Sequence, residues 1–203
     1  MTADDELDRL SRLLRRASRW IAGAIAAVSV WFLLAWARGA GESLAFSAIQ
    51  VPTAPATALL ALILALGIIA RARPHQEDPS AAALLLPATA LALAAWLGIA
   101  YVAGAEVPLE RWLAGPAVVR DGVPLGRISV ITASLFAVIA TALLVGQSRR
   151  AAYEGAIATI ALAAAFVVLQ GYLLGAPLLY GSRTIPVAAP TGLLLWGLAL
   201  ATL

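Results

Sequence analysis

Apolar residues run along this chain in stretches of roughly 17 to 24 positions, separated by short clusters of arginine, proline and glycine. A helix crosses a hydrocarbon core of about 30 Å with about 20 mainly apolar residues. The pattern predicts an all-α integral membrane protein with about six transmembrane helices, near 20–37, 54–70, 81–103, 128–146, 151–174 and 185–203. A membrane barrel would need segments of about 10 residues that alternate apolar and polar positions, and none is visible. Pro87 falls inside the third stretch, where it should kink the helix or be compensated by a neighbouring one.

Residues 1–19 are patterned differently and read as a cytoplasmic amphipathic leader ahead of a polytopic domain over 20–203. Thr2 and Asp5 have the spacing of a capping box, and Asp4, Asp5, Glu6 and Asp8 suit a helix N-terminus. Asp5 with Arg9 and Asp8 with Arg12 are i,i+4 pairs. Leu7, Leu10 and Leu14 share one face, so the leader either lies on the membrane surface or runs through solvent into the first span.

Composition sharpens the membrane reading. Of the 203 residues, 62% are hydrophobic and 12% charged, against about 25% charged in soluble domains. Every basic residue is arginine and there is no cysteine, so neither a disulfide framework nor a thiolate metal site exists. The net charge of +3 sits beside the apolar stretches, which suits anionic lipid headgroups and excludes nucleic acid as a partner. Nine arginines (9, 12, 15, 16, 19, 71, 73, 149 and 150) flank one side of the stretches and five (38, 111, 120, 127 and 183) the other. The positive-inside rule then makes the N-terminus cytoplasmic, in a multi-pass protein of a bacterial inner membrane. On the outer side, Leu109, Trp112 and Leu113 predict a short interfacial helix in the longest loop.

A junction recurs where outer loops enter spans. It reads Val51-Pro52-Thr53-Ala54-Pro55-Ala56-Thr57-Ala58-Leu59, then Arg127-Ile128-Ser129-Val130-Ile131-Thr132-Ala133-Ser134-Leu135, then Ile185-Pro186-Val187-Ala188-Ala189-Pro190-Thr191-Gly192-Leu193. Thr57, Thr132 and Thr191 align at spacings of 75 and 59 residues, each room for one helical hairpin. The expected architecture is a lead helix, two complete hairpins and half of a third. Pro55 and Pro190 fit the first helical turn at no hydrogen-bond cost, and the threonines and their small neighbours suit close helix packing.

Catalytic chemistry has little to work with. No Asp, Glu, Arg or His falls at the middle of a span, where an ionisable group would mark a proton or ion path. Glu154 comes closest and is expected to pair with Arg150 one turn away. His75, the single histidine, lies between Pro74 and Pro79 in a turn and cannot build a zinc site alone. With no phosphate loop, paired catalytic carboxylates or nucleophile elbow, neither enzyme activity nor a cofactor or metal is expected. The most distinctive stretch runs from Gln170 to Pro186. Gly171, Gly175 and Gly181 permit close approach, and Gln170, Tyr172, Tyr180 and Arg183 could line an outward pocket for a small or anionic ligand or cap the bundle.

The run from Gly171 to Thr191, GYLLGAPLLYGSRTIPVAAPT, resembles the multi-span N-terminal membrane region of bacterial sensor histidine kinases and of receptors with PAS or diguanylate-cyclase (GGDEF) domains. Pro55-Ala56-Thr57-Ala58-Leu59 resembles their recurring Pro-x-Thr-Ala-Leu-like junction. There are departures: Gly192 stands for the usual alanine, Ile131 for proline and Ser134 for leucine. The resemblance implies a sensory input module of a two-component or related signalling system, non-catalytic in itself and coupled to a cytoplasmic output domain or partner protein, with a homodimer as one possible state. The chain stops at Leu203 within an apolar stretch, so a fragment of a longer receptor and a stand-alone relative are both open. A small transporter or channel subunit is the alternative, with Thr89, Thr141, Thr159 and Gln170 as its thin polar path; an assembly or scaffold subunit is a third reading.

Overall fold

The structure is a computed structural model and describes residues 3–44, 52–72, 80–115, 119–120, 123–124, 126–147, 151–176 and 185–203. Among them are seven α-helices: α1 (Ala3–Ala37), α2 (Pro55–Arg71), α3 (Ala81–Val102), α4 (Pro108–Ala114), α5 (Val130–Gly146), α6 (Ala151–Leu173) and α7 (Ala189–Thr202). A 3-10 turn, Gly41–Leu44, follows α1. After α4, the two-residue strands β1 (Val119–Arg120) and β2 (Val123–Pro124) pair antiparallel.

The helices match the apolar stretches to within four residues, with two informative differences. The leader is not a separate element, because α1 runs unbroken from Ala3 into the first apolar stretch. The last stretch is not helical throughout: Ile185 to Ala188 form a non-helical approach, and α7 starts only at Ala189.

Three helices, α1, α3 and α6, are long and apolar enough to cross a membrane, as in a helical membrane protein. They carry bulky side chains outward, among them Trp31, Leu34, Trp96, Ile99, Phe166 and Val167. Much of the buried side of the same helices is small, with Ala22, Ala90, Ala94, Ala158, Ala161 and Ala165 beside the larger Phe32 and Leu97. Large apolar groups outside and small ones inside invert the soluble pattern and suit lipid, where association rests on close packing. The other three apolar helices have 17, 17 and 14 residues and are buried along much of their length.

Packing follows a cycle. α1 packs on α2, α2 on α3, α3 on α5, α5 on α6, α6 on α7, and α7 returns to α1. The short helices α2, α5 and α7 also touch one another, so they form the centre and the long helices the perimeter. Leu60 and Leu64, Phe136 and Ile139, and Leu195 and Leu198 fill that centre and are fully buried. Each perimeter helix forms a hairpin with the central helix that follows it, as α1–α2, α3–α5 and α6–α7. The hairpins expected after a lead helix, α2–α3 and α5–α6, are packed as well, so α1 leads the chain and is also the perimeter helix of the first pair.

Pro87 does not end α3. Gly67 of α2 lies against its ring, where an added Cβ would stand 3.2 Å from Pro87 Cδ, so the two helices close over the proline. At the end of the bundle holding Arg71 and Ser80, Glu154 accepts both arms of the Arg71 guanidinium, the second at 2.8 Å. Its partner is thus on α2, whereas the expected Arg150 lies outside the described residues. The turn around His75 lies outside them too.

Candidate functional site

The opposite end of the bundle holds the three junctions, and each is built from the same local parts. The residues before α2, α5 and α7, namely Ala54, Ser129 and Ala188, have nearly the same extended backbone, with φ/ψ of −64/145°, −79/153° and −65/146°. Thr57, Thr132 and Thr191 then fall at the third helical position, each about 2% exposed. Pro55 is the first residue of α2 and Pro190 the second of α7. The middle junction lacks a proline and uses a cap instead: Ser129 Oγ accepts from Thr132 N at 3.1 Å and meets Thr132 Oγ1 at 2.9 Å. Two different devices thus give one geometry, a fixed φ in one case and a satisfied N-terminal amide in the other.

The perimeter helices end alike as well. Trp36-Ala37-Arg38-Gly39-Ala40, Tyr101-Val102-Ala103-Gly104-Ala105 and Tyr172-Leu173-Leu174-Gly175-Ala176 share an aromatic-x-x-Gly-Ala pattern. Gly39, Gly104 and Gly175 have φ of +73°, +67° and +68°. In each case the alanine amide reaches back to the carbonyl before the aromatic residue, of Ala35, Ala100 or Gly171, at 2.9 Å. That is a Schellman closure, which needs the left-handed glycine. It also fixes the aromatic residue on the last turn.

From there the aromatic side chains hold the junctions. Trp36 Nε1 donates to Thr53 O at 2.8 Å, and Tyr172 Oη donates to Val187 O at 2.5 Å. Thr53 and Val187 are equivalent, each four residues before its aligned threonine. Tyr101 departs from the pattern and accepts from Ile185 N at 3.0 Å, bridging the second hairpin to the third junction. Thr191 Oγ1 donates to Thr53 Oγ1 at 3.3 Å and links the first and third junctions directly. Buried non-helical backbone needs partners for its polar groups, and these contacts supply some of them.

The segment that follows α3 is α4. The short helix expected around Leu109, Trp112 and Leu113 is present as α4, which holds Trp112 outward at 81% exposure. Glu110 points the other way, is 5% exposed, and accepts from Ile128 N at 2.8 Å. Arg127 Nε lies 3.5 Å from Glu110, while Arg127 Nη2 donates to Ala105 O at 2.9 Å. The same guanidinium sits 5.7 Å from the centre of the Tyr101 ring. Burial pushes the Glu110 carboxyl above the ordinary glutamate range, against the opposing pull of the Ile128 amide and of Arg127.

The chain matches no family model, no curated protein and no solved structure. The site must therefore be judged on its own geometry. Of the residues expected to line a pocket, Tyr172 is half-buried and its hydroxyl is bonded to Val187, Gln170 is half-buried on α6, and Tyr180 and Arg183 lie outside the described residues. Gly171 and Gly175, expected as packing glycines, supply the acceptor and the positive-φ residue of the α6 closure. A groove of about 450 Å³ lies elsewhere, between α3 and α5, lined by Ala94, Gly98, Ile99, Ala133, Ser134 and Ala137. Among the described residues no group of three His, Asp or Glu side chains is placed to hold a metal.

The sequence reading overlooked Glu110 and the aromatic-x-x-Gly-Ala repeat. The repeat was visible in the letters at spacings of 65 and 71 residues. Glu110 was not: its burial depends on α4 folding back on the junction before α5.

Proposed function

We propose that this chain is the membrane-embedded input module of a bacterial signalling protein. It spans the inner membrane six times with its N-terminus in the cytoplasm. It is non-catalytic, and a change in helix packing passes to a cytoplasmic output domain or partner. The observation that supports this best is the solid centre of α2, α5 and α7 beneath three like-built junctions, the first and third of them bonded to each other. Such a body changes state by repacking. The resemblance of the Gly171–Thr191 run to sensor membrane regions points the same way. The long helices supply three spans, and each short helix reaches membrane thickness only with its extended approach. The 17 residues of α2 or α5 rise about 25 Å and the 14 of α7 about 21 Å, and an extended approach adds about 10 Å, enough to cross about 30 Å of hydrocarbon.

A carrier is the second reading, favoured by ion pairs at both ends of the bundle, Arg71–Glu154 and Arg127–Glu110. Proteoliposomes decide between the two. The input module leaves gradients of ions and small solutes intact, and crosslinking in native membranes joins it to a kinase, cyclase or other signalling protein. Saturable uptake of any solute by the purified chain would replace the input-module reading with the carrier.

A further inference from the structure

Ser18 marks the point where α1 leaves the bundle. Its hydroxyl donates to Ala201 O on the last turn of α7 at 2.5 Å. N-terminal to it, the described side chains from Asp5 to Ala17 are exposed except for partly covered Ser11. The helix is nonetheless continuous: its 35 residues measure about 52 Å at 1.5 Å per residue, so on the membrane reading above about 25 Å projects from the cytoplasmic face. No proline or glycine interrupts the stretch from Ala3 to Ala22. A helix that crosses the boundary without a break stands off the membrane.

The projecting segment carries an uncovered leucine seam. Leu7, Leu10 and Leu14 are 64%, 55% and 67% exposed, and with Ala17 they recur at alternating steps of three and four residues. That is the a/d spacing of a two-stranded coiled coil. Written as heptads with Leu7 and Leu14 at a, the charges fall into place. Arg9 and Arg16 are at c, Arg15 at b, and Arg12 and Arg19 at f, with Asp8 at b and Asp5 at f. All of these point away from the seam. The positions flanking it, e and g, hold Ser11, Ser18, Leu13 and Trp20, so beyond the first turn two parallel copies would bring no like charges together. Ser11 is bonded within its own helix, donating to Asp8 O at 2.9 Å and accepting from Arg15 at 3.2 Å.

We infer that the partner of this seam is the same segment of a second copy, paired parallel and in register. Two copies in one membrane project their leaders to the same side, which is the orientation the heptads require. Shared anchoring also raises the local concentration, so two heptads are enough where free peptides of that length would stay apart. The inference rests on the membrane reading above but not on the input role.

The test uses the whole chain in native membranes. Because the chain has no cysteine, the single substitutions Leu10→Cys, Leu14→Cys and Arg12→Cys report without background, and all three lie outside the packed bundle. Under mild oxidation Leu10→Cys and Leu14→Cys are expected to give about tenfold more disulfide-linked dimer than Arg12→Cys, since only seam positions bring Cα atoms within about 7 Å. Equal crosslinking at all three positions overturns the seam. Absence of crosslinking with water-accessible thiols leaves a solvated monomeric leader and overturns it as well. Absence of crosslinking with Leu10→Cys and Leu14→Cys shielded from water and quenched by lipid-borne nitroxide assigns the leucine face to the bilayer instead. Recovery of the chain in the soluble fraction removes the membrane reading itself and, with it, the parallel pairing.

Discussion

Arg71 and Glu154 are 83 residues apart in sequence and join the end of α2 to the start of α6 across the last turn of α5. Gly146 lies directly beneath the carboxylate, where a Cβ would overlap it. The pair therefore depends on three helices at once.

Removing one partner leaves the other exposed to its desolvation cost. Loss of one partner of a fully buried pair costs about 3–5 kcal/mol; with Arg71 about one-third exposed, about 2 kcal/mol is expected for Arg71→Ala or Glu154→Gln. Gly146→Ala should lower stability by a similar amount through displacement of the carboxylate. Thermal unfolding in detergent measures all three, and additivity of Gly146→Ala with Glu154→Gln would show that they act separately.

Glu110 makes stability depend on pH with a definite sign. Its folded value is raised, so the folded chain keeps the proton to higher pH than the unfolded chain. The stabilising contribution is full below the ordinary glutamate value and is lost as pH rises through the folded one. Glu110→Gln, fixed neutral, lacks this slope. Relative to Glu110→Gln, the unfolding midpoint of the native chain should fall across that window. A relative rise would mean that pairing with Arg127 outweighs burial.

Tyr172→Phe removes the donor to Val187 O, a carbonyl in a residue only 4% exposed. Leaving it unpaired is expected to cost about 1–2 kcal/mol. Trp36→Phe does the same to Thr53 O. Chemical denaturation of the purified chain gives the comparison, and unchanged stability in both variants would deny the aromatic residues their junction-holding role.

Glycines with the same backbone sign should differ in sensitivity. Gly104→Ala meets open space and is expected to cost about 1 kcal/mol from its positive φ. Gly126→Ala adds a clash to the same strain, because its Cβ would lie 2.7 Å from Ala114 Cβ on α4. A loss of about 2–3 kcal/mol is expected there, with the α4 end of the site disturbed. Equal losses at both positions would argue against close packing between α4 and the Gly126 turn.

The helices were legible because hydrophobic runs bounded by arginine and proline are a local signal. The aligned threonines were legible for the same reason, and all three prove to hold one position at the start of a central helix. What the letters could not show is pairing at long range. Glu154 has an arginine four residues before it, and nothing local reveals that Arg71 of α2 is the partner the fold provides. The closure of the ring was hidden on similar grounds: that α7 comes round to meet α1 is a contact between the two ends of the chain, with no local signal. Of the pocket expected at Gln170, Tyr172, Tyr180 and Arg183, the last two lie outside the described residues. That the Tyr172 hydroxyl is bonded to Val187 O is again a pairing between separate segments, which the letters do not show.

Linkers tie together every neighbouring pair around the bundle except α7 and α1. That joint is held by side-chain contacts. Along it Gly197 faces Ile25 closely enough that a Cβ would stand 3.0 Å from Cδ1, and Ser18 bonds to a backbone carbonyl. A notch at Gly197 and a catch at Ala201 thus hold α1 against α7 in one axial register, as a bolt is held in its slot.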